Sequence, residues 1–157
     1  MYRKRGRALT QQQRKYAVQV ASYRSGLEEK LAEQIEQAGQ TVRHETLKLA
    51  FVEPAKKRSY LPDLILDNGI VLEAKGLWVT EDRKKHLYVK EQHPDIDLRF
   101  IFCRSATKIA KRSPTSYGKW AADHGFLFAD KEIPEEWLNE PPNEKSLAAL
   151  RALGAKV

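Results

Sequence analysis

Leu61-Pro62-Asp63-Leu64-Ile65-Leu66-Asp67-Asn68-Gly69-Ile70-Val71-Leu72-Glu73-Ala74-Lys75 reads as a β-hairpin, two apolar runs separated by a turn signal. Two turns fit the residues. A two-residue Asn68-Gly69 loop pairs Asp63 with Ala74 and puts the aspartate on the opposite face from Glu73. A three-residue loop, Asp67-Asn68-Gly69 with Gly69 left-handed in a bulge, pairs Leu66 with Ile70 and Asp63 with Glu73. Side chains alternate along a strand. Only the second turn therefore gathers Asp63, Glu73 and Lys75 on one face and leaves Leu64, Leu66, Ile70 and Leu72 on the other. We adopt the second.

Working outward, Leu27, Leu31, Ile35 and Ala38 recur at helical spacing, with Ser25 placed to cap the helix and Gly39 to end it. Thr41 to Val52 is rich in β-formers, and is expected to be extended without a hairpin partner. Pro54 to Ser59 reads as a basic polar loop. Beyond the hairpin, a helix is predicted over Glu81–Gln92, with Thr80 as its cap and Pro94 past its end. Leu98-Arg99-Phe100-Ile101-Phe102-Cys103 is nearly continuous apolar sequence, which predicts a buried strand and a buried Cys103. Thr115–His124 suits a second helix stopped by Gly125, and Phe126-Leu127-Phe128 a further short strand. This order predicts an α/β fold: a mixed central β-sheet flanked by helices, with right-handed crossovers. Residues 1–14 read as a flexible basic arm, 15–140 as a single domain and 141–157 as a C-terminal tail.

The 157 residues suffice for one domain with a real core, and 41% apolar with 31% charged residues describes a globular chain. No apolar stretch approaches the ~20 residues of a membrane span, and no apolar segment follows the basic N-terminus as a secretory signal requires. One cysteine excludes an internal disulfide framework and a cysteine-built zinc site, which points to a reducing, cytoplasmic setting. The net charge of +7 is concentrated. Arg3, Lys4, Arg5, Arg7, Arg14 and Lys15 contribute six positive charges, leaving the remainder close to neutral. Asp130, Glu132, Glu135, Glu136, Glu140 and Glu144 make an acidic stretch near the other end. Such asymmetry suits a polyanion approached from one side, although two solvated ends would look the same.

Asp63 and Glu73 on one face repel each other unless a cation stands between them or one is protonated. Carboxylate oxygens are the ligands that Mg²⁺ or Mn²⁺ prefers, and such ions activate water and neutralise charge in phosphodiester hydrolysis. Lys75 would orient the water and offset anionic charge. The plainer alternative makes Asp63 a strand cap and Glu73 with Lys75 an exposed ion pair.

Several segments occur in a telling order: Tyr23-Arg24-Ser25-Gly26-Leu27-Glu28, Asn68-Gly69-Ile70, Glu73-Ala74-Lys75-Gly76-Leu77-Trp78, Asp82-Arg83-Lys84-Lys85-His86-Leu87, Glu91-Gln92-His93-Pro94 and Ser113-Pro114-Thr115-Ser116-Tyr117-Gly118. So arranged, the chain closely resembles the phage endonuclease I family, Holliday-junction resolvases of T-odd-type podophages, from about Tyr23 to Trp137. The basic arm and the residues after Pro141 look divergent. The resemblance implies a restriction-endonuclease-like core of the PD-(D/E)xK superfamily and an endonuclease that resolves four-way and other branched DNA with Mg²⁺ or Mn²⁺, two ions per site. It makes Asp63, Glu73 and Lys75 catalytic and the Ala74 carbonyl a metal ligand, and it adds Glu28 to the site. Locally, Ser25-x-x-Glu28 is also a capping box, enough by itself to explain a glutamate there. The family further implies an intertwined homodimer in which 41–52 bridges exchanged N-terminal segments.

Candidate DNA contacts are Arg83, Lys84, Lys85 and His86 at a helix start, Lys108, Lys111 and Arg112 in a polar loop, and Arg3, Lys4, Arg5 and Arg7 in the arm. About half of the 83–86 group is expected to touch phosphate, since its charges wrap around the helix. Trp78, Tyr88, Trp120 and Trp137 read as core or interface. Two rival readings are a restriction-like or transposase-like nuclease acting on linear duplex, and a non-catalytic protein that only binds branched DNA.

Overall fold

Leu64–Ile65 (β3) and Ile70–Lys75 (β4) pair antiparallel in the computed structural model, with Leu64 opposite Leu72 and Ile65 opposite Val71. Continued outward, that register sets Leu66 beside Ile70 and Asp63 beside Glu73, so the turn is the three-residue one. Leu66 N–H donates to Ile70 O at 2.8 Å, and Gly69 takes the left-handed conformation at φ 89°. The structure describes residues 26–53 and 56–157. The arm residues Arg3, Lys4, Arg5 and Arg7, and the capping position Ser25, lie outside the described residues.

From β4 the chain passes through Thr80–Gln92 (α2) to Asp97–Phe102 (β5), which runs parallel to β4. Tyr117–Asp123 (α3) then leads to Phe128–Asp130 (β6), parallel to β5. The result is a mixed four-stranded sheet in the order β3-β4-β5-β6, flanked by helices. One face packs Leu64, Leu66, Ile70, Leu72 and Ile101 against Leu31 and Ile35 of Gly26–Gln37 (α1). The other packs Ile65, Val71, Phe100 and Phe102 against Trp78, Val89 of α2 and Ala121 of α3. Burying one such side chain contributes about 1.5–3 kcal/mol, whereas an exposed ion pair contributes ~0–1 kcal/mol. The two apolar faces therefore hold the sheet, and surface charge does not.

Five expectations need correction. Leu49–Glu53 (β1) does have a hairpin partner: it pairs antiparallel with Lys56–Tyr60 (β2), most of the stretch read as a basic loop. The α2 helix begins at Thr80 and Val79 takes the cap position, so Thr80 is inside the helix, where its Oγ1 accepts from Arg83. The last strand starts at Phe128 rather than Phe126, because Phe126 turns inward onto Phe100 just after the left-handed Gly125. Cys103 follows the end of β5 and is exposed.

Residues 141–157 are not a tail. Beyond the short helix Glu135–Leu138 (α4), Glu144–Ala152 (α5) is a helix capped by Asn143, with Ser146, Leu147 and Leu150 buried. It clamps the β3–β4 turn. Ser146 Oγ donates to Gly69 O at 2.6 Å, Asn143 N–H donates to Asn68 O at 2.8 Å, and Asn68 Nδ2 reaches Trp137 O at 2.8 Å. Among the described residues no helix is long and apolar enough to cross a membrane.

Candidate active site

The β4 strand ends in alternation, and that alternation sets the site. Ile70, Leu72 and Ala74 face α1, while Val71, Glu73 and Lys75 face the side that carries α2 and the β1–β2 hairpin. Glu73 is only 3% exposed, so its carboxylate needs partners. Oε1 accepts from Lys75 Nζ at 2.8 Å, and Oε2 accepts from the buried Tyr60 hydroxyl on β2. His86 stands behind, with Nε2 3.5 Å from Oε1 and Nδ1 accepting from Trp78 Nε1–H at 3.0 Å.

Asp63, one pleat across from Glu73, accepts the Ala74 N–H at Oδ2, 2.8 Å. Glu28, in the first turn of α1, is buried, with Oε2 2.9 Å from His44 Nε2. Glu28, Asp63, Glu73, Ala74 and Lys75 together line one cleft of about 330 Å³, which Tyr60 and Lys85 also border. The four residues singled out as catalytic thus converge, within one chain.

The electrostatics of the two central acids diverge. Burial and the neighbouring Glu73 charge push Asp63 up to about 8, only partly offset by the Ala74 amide and Lys75. Burial would raise Glu73 as well, yet His86 and Lys75 outweigh it and hold Glu73 at about 2. Burial lowers His86 in turn, so at neutral pH the imidazole is uncharged and Lys75 supplies the positive charge beside Glu73. Lys75 stays charged because Glu73, Asp82 and Asp63 outweigh its own burial. Tyr60 is driven well above its ordinary value, mainly by burial and then by Glu73, and remains a donor.

Such a cleft, where burial and the Glu73 charge raise the neighbouring Asp63, suits a hard divalent ion held by oxygen ligands. No three Asp, Glu, His or Cys side chains among the described residues form a ready-made ion cage as placed. Lys75 and Tyr60 each engage one oxygen of Glu73 in this arrangement.

Residues 9–156 match the family profile described as phage endonuclease I. The chain belongs to that family. It is 48% identical over 137 residues to "Endonuclease I" of Escherichia phage T7, covering 87% of this chain and 92% of the relative. To "Endodeoxyribonuclease 1" of Enterobacteria phage T3 it is 48% identical over 123 residues, 78% of this chain and 81% of the relative. The family match runs through α5, past the point where the sequence looked divergent.

Within this family member the expected DNA contacts separate by burial. Arg83 and His86 point inward and are corrected. The Arg83 guanidinium donates to Trp78 O and Thr80 Oγ1, and His86 lies among Tyr60, Trp78 and Phe100. Lys84 is exposed and Lys85 half-buried, at the rim of the cleft. Lys111 and Arg112 are exposed on a loop closed by a bridge between Lys108 and Ser116, and Lys108 Nζ donates to Pro114 O at 2.7 Å. Tyr60 and His44 were missed. A tyrosine at the end of a polar run carries no sequence signal of its own, but its place one residue before Leu61-Pro62-Asp63 could have drawn notice.

Proposed function

We propose that this chain is a divalent-metal-dependent endonuclease that resolves four-way junctions and other branched DNA. The observation that carries the reading is the convergence of Glu28, Asp63, Glu73 and Lys75 on one cleft in a member of the phage endonuclease I family. Asp63, Glu73, the Ala74 carbonyl and Glu28 would hold Mg²⁺ or Mn²⁺, two ions per site. When bound, such ions supply Lewis acidity and a water activated near neutral pH. Lys75 orients that water and offsets charge on the phosphate. Glu73, held ionised, offers its carboxylate without a proton to displace. Lys84, Lys85, Lys108, Lys111 and Arg112 would hold the phosphate backbone, contacts that position DNA without reading bases.

The core would be restriction-endonuclease-like and the active form an intertwined homodimer. The surfaces that α1 buries against its own sheet can equally be made between two copies exchanging N-terminal segments, with 41–52 as the bridge. Co-refolding Glu28→Ala with Glu73→Ala chains tests this. Exchange restores one intact site, and hence nicking, whereas sites built within single chains leave the mixture dead.

The deciding experiment compares a four-way junction with a matched linear duplex, with Mg²⁺ and with EDTA. Junction cleavage only with metal is expected. Equal cleavage of the duplex would favour a restriction-like nuclease, and binding without cleavage a non-catalytic protein.

A further inference from the structure

Three side chains stand beside or behind Glu73 that the cleavage chemistry does not itself call on. Tyr60 is 4% exposed at the end of β2, and its hydroxyl donates to Glu73 Oε2. His86, fully buried on α2, aims Nε2 at Oε1 from 3.5 Å, and among the described residues that nitrogen has no hydrogen-bond partner. Trp78, also buried, donates its indole N–H to His86 Nδ1 at 3.0 Å. The ring contacts fix the set. His86 meets Tyr60 edge-on at 5.3 Å and Phe100 edge-on at 4.9 Å, and Trp78 packs on Phe100 at 4.7 Å.

We propose that Tyr60, His86 and Trp78 form a positioning frame that locks the Glu73 carboxylate in a single orientation for a metal ion. The inference rests on the reading of Glu73 as a metal ligand. Each member has one role. An acceptor at Nδ1 leaves the imidazole proton on Nε2, so Trp78 selects the tautomer whose N–H points at Glu73. A glutamate has three side-chain torsions, the last of them broad and nearly free to rotate. Donors on both oxygens stop that rotation. Tyr60 donates to Oε2 and Lys75 to Oε1, with the His86 Nε2 edge packed 3.5 Å behind Oε1, which fixes the carboxylate plane before any ion arrives. Outer partners of this kind typically set metal affinity by about 10–100-fold. The frame also gives the β1–β2 hairpin a purpose, since Tyr60 is its contribution to the site.

Mn²⁺ binding to the full-length chain, measured by calorimetry, tests the frame with a readout independent of cleavage. Tyr60→Phe removes one oxygen and keeps the ring. It is expected to weaken Mn²⁺ binding by about tenfold, while the melting transition in EDTA stays cooperative and falls only as the loss of one buried hydrogen bond requires. Trp78→Phe, which frees the imidazole tautomer, is expected to weaken binding several-fold, and it answers the question if Tyr60→Phe does not fold. Glu73→Gln is the control for the underlying reading. If Glu73→Gln abolishes Mn²⁺ binding while Tyr60→Phe and Trp78→Phe bind as tightly as the parent or tighter, the frame is overturned and the ligand reading stands. If Glu73→Gln binds like the parent, Glu73 is not a ligand and the frame falls with it.

Discussion

The two hairpins of this chain are held in different ways. In β3–β4 both faces are covered, and the turn itself is covered too. Asn68 donates to Trp137 O and Glu140 O, its Oδ1 accepts from Ile70 N–H, and Ser146 caps Gly69 O. In β1–β2 only one face is covered. Leu49, Phe51 and Tyr60 turn inward, while Lys56, Lys57, Arg58 and Ser59 are exposed. Its further ties run to the C-terminal end of α2, where Gln92 brackets Val52 at 2.7 and 2.9 Å and His93 meets Ala50 O at 2.6 Å. The firmly held hairpin carries Asp63, Glu73 and Lys75, and the lightly held one reaches in with a single hydroxyl. On the proposed reading, the groups that must keep a reacting geometry sit on the element whose turn is tied to the rest of the protein.

The sharpest break of that comparison is chemical. Glu73→Ala or Lys75→Ala should lower junction cleavage by about 10²–10⁴-fold, the range expected for losing a positioned catalytic group. Junction binding, measured by gel shift in Ca²⁺, should survive, because the exposed lysines lie elsewhere. Turnover within a few-fold of the parent would mean the reacting groups are not on this hairpin.

Next in size is the turn. A methyl group at Gly69 would stand 3.0 Å from Leu147 Cγ and 3.2 Å from Asn143 O, at a backbone φ of 89°. Strain and overpacking act together there, so Gly69→Ala should cost about 2–4 kcal/mol in urea unfolding. A cost under ~1 kcal/mol would show that α5 shifts easily and that the clamp is weak.

A third prediction concerns pH. Asp63 has a folded value of about 8 against an ordinary 3.8, so the folded state favours its proton. The stability this contributes is complete below 3.8 and is lost as pH rises through 8. Asparagine has no such loss. Asp63→Asn should therefore melt above the parent at pH 8.5 in EDTA, by about 3 °C or more, with the gap closing toward pH 4. Saturating Mn²⁺ should raise the parent more than the variant. A functional acid kept at the expense of stability gives this sign. A variant that melts below the parent at pH 8.5 would contradict the raised value.

How much of this was legible follows from the same contrast. A strand buried on both faces writes itself as continuous apolar sequence, so β4 and β5 were readable, and the Asp67-Asn68-Gly69 turn gave the register of its own hairpin. A strand solvated on one face writes mostly its surface, and Lys56–Ser59 looked like a loop because only Tyr60 of that strand is buried. The α2 helix hid its inward side for another reason. Arg83, His86 and Val89 are three residues apart and all buried, but two of the three are cationic types whose hydrogen bonds to Trp78 and proximity to Glu73 are tertiary facts. The α5 helix had a weak signal, Asn143 as cap and Leu147 with Leu150 at helical spacing, masked by the charge around it. The acids were legible through alternation and resemblance. The frame behind Glu73 was not, because it joins residues from β2, α2 and the connection that follows β4.

The smallest expected effect lies on the outer edge of β2. Arg58 is paired with Glu53 at 2.6 Å, but the two side chains are 52% and 38% exposed. Water competes for both charges, and holding two long side chains together costs rotamer entropy, so such a pair is worth about 0.2–1 kcal/mol. Opposite Arg58 in the ladder, and so on the same face, stands Phe51, whose ring is buried in the core while the guanidinium reaches out to solvent. Arg58→Ala should thus change unfolding free energy by about 0.5 kcal/mol or less, and 0.5 M NaCl should erase the difference, since salt screens exposed pairs. Inward-facing Phe51 supplies the contrast within the same hairpin: Phe51→Ala should cost about 3–5 kcal/mol. A loss above ~2 kcal/mol for Arg58→Ala would place the guanidinium among the groups that hold β1–β2, and the hairpin would no longer be the lightly held one.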